Sequence, residues 1–488
     1  MRWGCEIALA YLWNTANISV ACKLPDNNKI WSKAMTTIAY IAARFERLPM
    51  SGYQRKLFAI IATAWFFDSL DLGMMTFMLG SITAEFGLTS TQAGLLASSS
   101  FVGMFLGAAI AGMLADKFGR KPVFQLSMIF WGVGSLLCGF AENVEQLMWF
   151  RVLLGFGMGM EFPIGLSLVS EIVPAKSRGR YIAILEGFWP LGFICAGVIA
   201  YFFMPIIGWR GIFIALAVPA LFVFIVRRCV PESPRWLAEV GRNDEADTTM
   251  DRFEASVMRS AQMNALPVVT RSMENAASAL VAKARFRDIW QGEYAQRTLM
   301  LWGLWFFALL GYYGLTAWLG ALLQNAGYEA TQSALYTVYI SLAGIPGFIF
   351  AAWLVEAWGR KGTCVLMLLC SAASAFLYGQ AAATAAPLVW LITAGLFMQF
   401  FLFGMWSVLY AYTPELYPTR LRATGTGFAS SIGRFGALLG PYIVGVLLPL
   451  TGQGGVFSMG AISFVIAALL IIFLGVETKG RSLEDVSN

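Results

Sequence analysis

GMLADKFGRK, residues 112–121, closes one long apolar run and opens the next. At residues 352–361, 240 positions on, the chain reads AWLVEAWGRK, so the acids Asp116 and Glu356 and the triplets Gly119-Arg120-Lys121 and Gly359-Arg360-Lys361 fall in one register. A second pair agrees. Glu171, Pro174 and Arg178 of SEIVPAKSRGR return 244 positions later as Glu415, Pro418 and Arg422 of PELYPTRLRATG. A third pair is PESPRWL from Pro231 and VETKGRSLE from Val476. One duplicated unit accounts for all three. Parallel repeats of this kind set a substrate site near the bilayer midplane, between the halves.

Composition says what the repeats are made of. Of 488 residues, 58% are hydrophobic and 13% charged, with a mean hydropathy of +0.67. A soluble domain carries roughly 25% charge, so this chain has too little polar surface to face water. The net charge of +6 is modest, and no nucleic-acid partner is expected. There is no His, which removes the commonest metal ligand and the usual neutral-pH proton carrier. Proton chemistry therefore falls to carboxylates. The 7 Cys show no zinc-ligand spacing and read as small buried hydrophobes, so neither metal nor cofactor is expected.

Apolar runs predict helices over 56–81, 93–115, 121–141, 146–173, 181–204 and 209–229, then over 298–323, 331–355, 361–383, 388–413, 422–450 and 454–475. That is an all-α membrane protein with twelve spans in two pseudo-symmetric six-helix bundles, 56–230 and 298–476. Residues 1–55 form an N-terminal segment, 231–297 a linker with short surface helices, and 477–488 a tail. Met35 is a candidate start, which would make 1–34 a start-site artefact, and 36–48 suits an amphipathic surface helix. Lys117, Arg120, Lys121, Lys176, Arg178, Arg180, Arg227 and Arg228, then Arg360, Lys361, Arg420 and Arg422, mark one set of loops. Glu85, Glu142, Glu145 and Glu329 occupy the other set, with Arg210 as almost its only cation. The basic set is read as cytoplasmic, which puts both termini inside a bacterial inner membrane.

GMLADKFGRK, SEIVPAKSRGR, PESPRWL, PELYPTRLRATG and VETKG resemble the signature motifs of the major facilitator superfamily, nearest its sugar-porter and organic-acid branches, over roughly residues 50–485. The resemblance implies that Asp116/Arg120 and Glu171/Arg178, with their repeats Glu356/Arg360 and Glu415/Arg422, bracket a cytoplasmic gate. Their charge networks would form in the outward-facing state and break in the inward-facing one. Acids and bases together favour a gate over plain topogenic charge, because topology needs only the cations.

Ionisable groups inside the apolar runs are costly and mark function. Asp68 and Asp71 are three apart on one helix face, while Arg151 and Glu161 share the fourth run. Glu186 lies in the fifth and Arg434 in the eleventh. Proton-linked sugar porters pair a first-helix Asp with a fourth-helix Arg, and Asp71 and Arg151 stand at the matching places. Asp71 is thus expected to carry a coupled proton, modulated by Arg151 and assisted by Asp68 or Glu161. The alternative is a static buried salt bridge. GFGMGM at 155–160 lies inside an apolar run with no preceding strand, so it reads as small residues for close helix contact and not as a nucleotide loop.

Trp189 in EGFWPLG, Tyr312 and Tyr313 in GYYGLTAW, and Trp406 and Tyr410 in FGMWSVLYAYTPELYP sit at midplane depth. These segments resemble bacterial niacin transporters and the related synaptic-vesicle glycoproteins, in which the corresponding positions line the central cavity. Arg434 in SIGRFGALLGP resembles the eleventh-helix Arg of aromatic-acid proton symporters. A midplane cation pairs a carboxylate, and aromatic walls stack a flat ring. The expectation is a monomeric, proton-coupled importer of a small aromatic carboxylate, foremost nicotinate. A sugar or other organic-acid porter and a non-transporting receptor remain alternatives. No catalytic constellation appears, and an enzyme is not expected.

Overall fold

The computed structural model describes residues 37–269 and 286–479, so Cys5, Cys22 and the 1–34 reading lie outside the described residues. Within them the regular structure is helical. α1 spans Thr37–Glu46, α2 Gly52–Phe86, α3 Ser90–Phe118, α4 Arg120–Gly139, α5 Val144–Ile172, α6 Ala175–Ala217 and α7 Val223–Cys229. The short α8 (Pro234–Glu239) and the amphipathic α9 (Asn243–Ala261) lead to α10 (Glu293–Asn325), α11 (Ala330–Leu342) and α12 (Gly344–Trp358). α13 (Arg360–Ala383), α14 (Leu388–Glu415) and α15 (Thr419–Leu474) complete the chain.

Helix ends follow local chemistry. α2 starts four residues before the apolar run predicts, because Ser51 caps it: Ser51 Oγ accepts from Gln54 N and Gln54 Oε1 accepts from Ser51 N. The predicted 331–355 helix is divided at Ala343, where Pro346 has no N–H for the Leu342 carbonyl. Ten helical stretches among the described residues are long and apolar enough to cross a bilayer. Two of them, Ser177–Cys229 and Thr424–Leu474, exceed 50 residues. A span needs about 20 residues. Both are broken by a glycine in the left-handed region, Gly208 (φ 64°) and Gly452 (φ 65°), within the predicted gaps 205–208 and 451–453. Before its break α6 packs Gly192 on Phe66 and Ser69 of α2, and beyond it the Phe213 carbonyl accepts from Ser135 of α4.

The GFGMGM glycines do what small residues do in membranes. Gly155 and Gly159 back onto Ser100 and Met104 of α3, and Gly157 onto Ser127 and Trp131 of α4. Similar contacts join the first and second repeats at the end away from the GRK turns. A Cβ on Gly320 would stand 2.6 Å from the Thr76 carbonyl, and one on Gly94 would stand 3.2 Å from Gly445 Cα.

At the GRK end, α1 is more than a surface helix. Ile41 and Phe45 are buried, and Arg44, only 5% exposed, donates to Glu254 (2.7 and 3.0 Å) and Asp251 (2.5 Å) of α9. α9 buries Met250, Phe253 and Val257, so part of the 231–297 segment is docked structure and not a free linker. Cys138 and Cys364 are buried, as expected of small hydrophobes, and no metal-competent cluster occurs among the described residues.

Candidate functional site

The repeat motifs build two matching polar networks. In the first repeat Glu232 accepts the backbone N–H groups of Arg120 (3.0 Å) and Lys121 (3.2 Å) at the start of α4. Arg120 pairs with Glu171, which also accepts from Ser233 Oγ at 2.5 Å. In the second, Glu477 accepts the N–H groups of Arg360 (2.9 Å) and Lys361 (3.0 Å), Arg360 pairs with Glu415 (3.0 Å), and Thr478 Oγ1 donates to Glu415 at 2.6 Å. A carboxylate on helix-terminal N–H groups is the arrangement the helix dipole favours. Each network lies within one repeat. Glu356 joins the second at 2.9 Å from Arg360. Two expected partners differ. The Asp116 side chain is exposed and forms no salt bridge among the described residues, while its backbone carbonyl accepts from Trp236 Nε1. Arg178 donates to Glu46 of α1 at 2.8 Å and not to Glu171, because α1 docks beside it.

Both motif turns need glycine. Gly119 and Gly359 have φ of 100° and 112°, and a Cβ on Gly359 would lie 2.6 Å from Glu477 Oε2. Gly359→Ala is expected to cost about 1–3 kcal/mol and to lower the melting temperature in detergent by several degrees. An unchanged melting temperature would show that the turn is not constrained. Glu477 also gives a pH prediction. Burial alone would raise its pKa, yet the backbone N–H groups of Lys479, Arg360, Lys361 and Thr478 hold the carboxyl below its usual value. Such a group adds stability that is present above the unfolded pKa, about 4.3, and is lost as pH falls through the folded one. Wild type should therefore be more heat-stable than Glu477→Gln at pH 7, with the gap narrowing below pH ~4.3. A pH-independent gap would remove this assignment.

Between the repeats lies a cavity of about 50 Å³. α5 and α6 supply Phe162, Glu186, Trp189 and Pro190; α10 supplies Trp305, Leu309 and Tyr313; α14 supplies Trp406 and Tyr410; α15 supplies Ser430, Arg434 and Ala437. Trp406 and Tyr410 stack at 5.5 Å with planes 22° apart, and Trp189 meets Phe162 edge-on at 5.5 Å. The Arg434 guanidinium sits 4.9 Å above the Phe162 ring and makes no salt bridge among the described residues.

Of the six predicted binding residues, Trp189, Tyr313, Trp406, Tyr410 and Arg434 line this cavity, and Tyr312 does not. Tyr312 is 1% exposed, packs edge-on against Trp406 at 5.2 Å and faces a second cavity of about 20 Å³. Adjacent residues on a helix point about 100° apart; both tyrosines line the second cavity, and only Tyr313 reaches the larger one. Trp305, Glu186 and Phe162 were not anticipated as lining. For the first two the signal was present as helical spacing: Trp305, Leu309 and Tyr313 are four apart, and Glu186 and Trp189 three apart.

The second cavity shares Phe101, Trp189 and Tyr313 with the first and is also lined by Arg151. Arg151 Nη1 lies 3.4 Å from Asp71 Oδ1, and neither side chain has any exposure. Its guanidinium stands 5.7 Å from the centre of the Phe213 ring. Asp68 and Glu161 are buried as well, and Asp68 lies within electrostatic reach of Glu161, Asp71 and Arg434. Neither Asp68, Asp71 nor Glu161 lines the larger cavity. Asp71 is tied to the second cavity through Arg151, and Asp68 lies within electrostatic reach of Arg434 at the larger one.

A polytopic helical protein with an aromatic cavity between sequence repeats, one unpaired cation in that cavity and paired carboxylate–arginine networks at one end is a secondary transporter in form. Residues 7–488 match the sugar (and other) transporter family, and the chain belongs to that family, within the major facilitator superfamily. It is 38% identical to the niacin transporter NiaP of Acinetobacter baylyi over 91% of this chain and 99% of that one. It is 28% identical to the synaptic vesicle 2-related protein of Xenopus laevis over 91% and 82% of the two chains. Among solved structures, the inward-open xylose transporter XylE of E. coli superposes with a TM-score of 0.71 at 19% identity, covering 89% of this chain and 99% of that one. NiaP and XylE are transporters, and this chain belongs to a transporter family and is not an enzyme.

Proposed function

We propose that this protein imports nicotinate together with protons, by alternating access of its two repeats around the aromatic cavity. Arg434 carries the reading. A guanidinium in an apolar cavity, with no carboxylate of its own, is costly unless an anion completes it. Trp406, Tyr410, Trp189 and Tyr313 line the cavity with flat aromatic rings, which suits an aromatic acid and gives a sugar's hydroxyls few partners. The 38% identity to a niacin transporter points the same way.

Counting the helices broken at Gly208 and Gly452 as two spans each gives twelve, divided into bundles at 56–230 and 298–476, with the basic ends and both termini in the cytoplasm of a bacterial cell. A monomer, with no cofactor beyond the proton, suffices for this cycle. Asp71 and Arg151 are the coupling pair, with Asp68 or Glu161 assisting. The Arg120–Glu171 and Arg360–Glu415 networks brace each bundle at the cytoplasmic gate. The glycine contacts at Gly94 and Gly320 hold the outer ends of the two bundles together. Asp116, Arg178, Glu356 and Arg422 flank the gate. Uptake of radiolabelled nicotinate into proteoliposomes under an imposed pH gradient tests the function. Accumulation that collapses with a protonophore is expected. Binding without any uptake would make the protein a receptor.

A further inference from the structure

One polar group on the cavity wall has no part in holding the carboxylate or in the Asp71–Arg151 pair. Glu186 of α6 lines the cavity, is 5% exposed, and leaves its Oε1 without a hydrogen-bond partner. No cation pairs with it among the described residues. It stands beside the Tyr410 hydroxyl, and both Tyr410 and Tyr313 lie within electrostatic reach of Glu186 and of Arg434. The cavity therefore has two polar poles, an arginine and a carboxyl, separated by tyrosine rings. A buried polar atom left unsatisfied costs free energy unless a ligand completes it.

Resting on the nicotinate reading, we propose that Glu186 recognises the ring nitrogen of the substrate and so selects a pyridine carboxylate over a benzene carboxylate. The chemistry needs one proton between the two groups: a carboxylic acid donates to a pyridine nitrogen, and a carboxylate accepts from a pyridinium. Arg434 takes the substrate carboxylate, the Trp406–Tyr410 stack flanks the ring, and Glu186 meets the heteroatom. Benzoate fits the same cavity and satisfies Arg434 but leaves Glu186 unpartnered. A site built to hydrogen-bond a group discriminates against the analogue that lacks it.

Calorimetric titration of the purified, full-length protein in nanodiscs with nicotinate, benzoate and picolinate tests this. Wild type is expected to bind nicotinate roughly tenfold or more tightly than benzoate, the worth of one charge-assisted hydrogen bond. Picolinate, whose nitrogen adjoins its carboxylate, should resemble benzoate. In Glu186→Leu nicotinate should weaken to the benzoate level while benzoate holds within about twofold. Glu186→Gln, which keeps an N–H donor, should retain most of the preference. Equal wild-type affinities for the three acids would overturn the assignment even if Glu186→Leu did not fold. A parallel loss of nicotinate and benzoate in Glu186→Leu would also overturn it, as would no loss at all. Failure of the underlying reading looks different: wild type would bind none of the three acids, and both proposals would fall.

Discussion

Arg434→Ala is expected to lower nicotinate affinity by roughly 100-fold or more and to abolish measurable uptake, with the melting temperature of the ligand-free protein held or raised. The size follows from burial. Losing one member of a desolvated, hydrogen-bonded charge pair costs about 2–5 kcal/mol, because the substrate carboxylate is then left in an apolar cavity. The direction for the empty protein follows from the same physics. Among the described residues Arg434 has the Phe162 face, Tyr410, Tyr313 and Asp68 near it but no salt-bridge partner, so its removal relieves a cost. Arg434→Lys should recover part of the affinity, since an ammonium keeps the charge but not the two-pronged geometry. Nicotinamide, which has no carboxylate, should bind Arg434→Ala and wild type about equally. An Arg434→Ala protein that binds nicotinate with unchanged affinity would remove the central premise.

The second large effect concerns coupling. One proton per substrate lets a pH gradient hold a concentration ratio of about tenfold per pH unit. Asp71→Asn should bring that ratio to about one while leaving equilibrium exchange of labelled nicotinate intact. The reason is geometric: Asp71 is completely buried, its charged partner is Arg151 at 3.4 Å, and that arginine lines the cavity adjoining the substrate site. Any change in charge at Asp71 is felt at the cavity through one side chain. A static salt bridge predicts otherwise, namely a destabilised protein that still accumulates substrate along the gradient. Arg151→Met separates the two further. It strands a buried carboxylate, with an expected loss of about 3–5 kcal/mol of stability, whereas Asp71→Asn keeps a polar group beside the guanidinium and should be milder. Full gradient-driven accumulation by Asp71→Asn would assign proton transfer elsewhere, with Asp68 and Glu161 the next buried carboxylates to test.

Much of the fold was legible because membranes impose simple rules on sequence. Span positions follow from runs of apolar residues, and even the two glycine breaks fell in predicted gaps, since a helix of more than 50 residues overshoots the bilayer. The repeat register was legible too: residues 240 to 245 apart, such as Arg120 and Arg360, Glu171 and Glu415, and Glu232 and Glu477, carry out the same contacts. The docking of α1 through Arg44 onto the acids of α9 was not, because those partners are more than 200 residues apart and both helices look like solvated surface. Nor was the contact of Arg178 with Glu46 of the docked α1, 132 residues away.

The amino-acid sequence by itself determined that this chain lives in a bilayer, that it is a duplicated helical unit, and which charges are buried at the expense of hydration. Those properties depend on hydrophobicity and periodicity, which are local. Only the tertiary structure decided which aromatic residues share a wall: Tyr313 and not Tyr312, with Trp305 and Glu186 added. It also decided that Asp68, Asp71 and Glu161 do not line the larger cavity while Glu186 does. Helix rotation sets which side chain faces inward, and that rotation is fixed by how neighbouring helices pack, through contacts such as Gly155 on Ser100 and Gly192 on Phe66 that no single stretch of chain encodes.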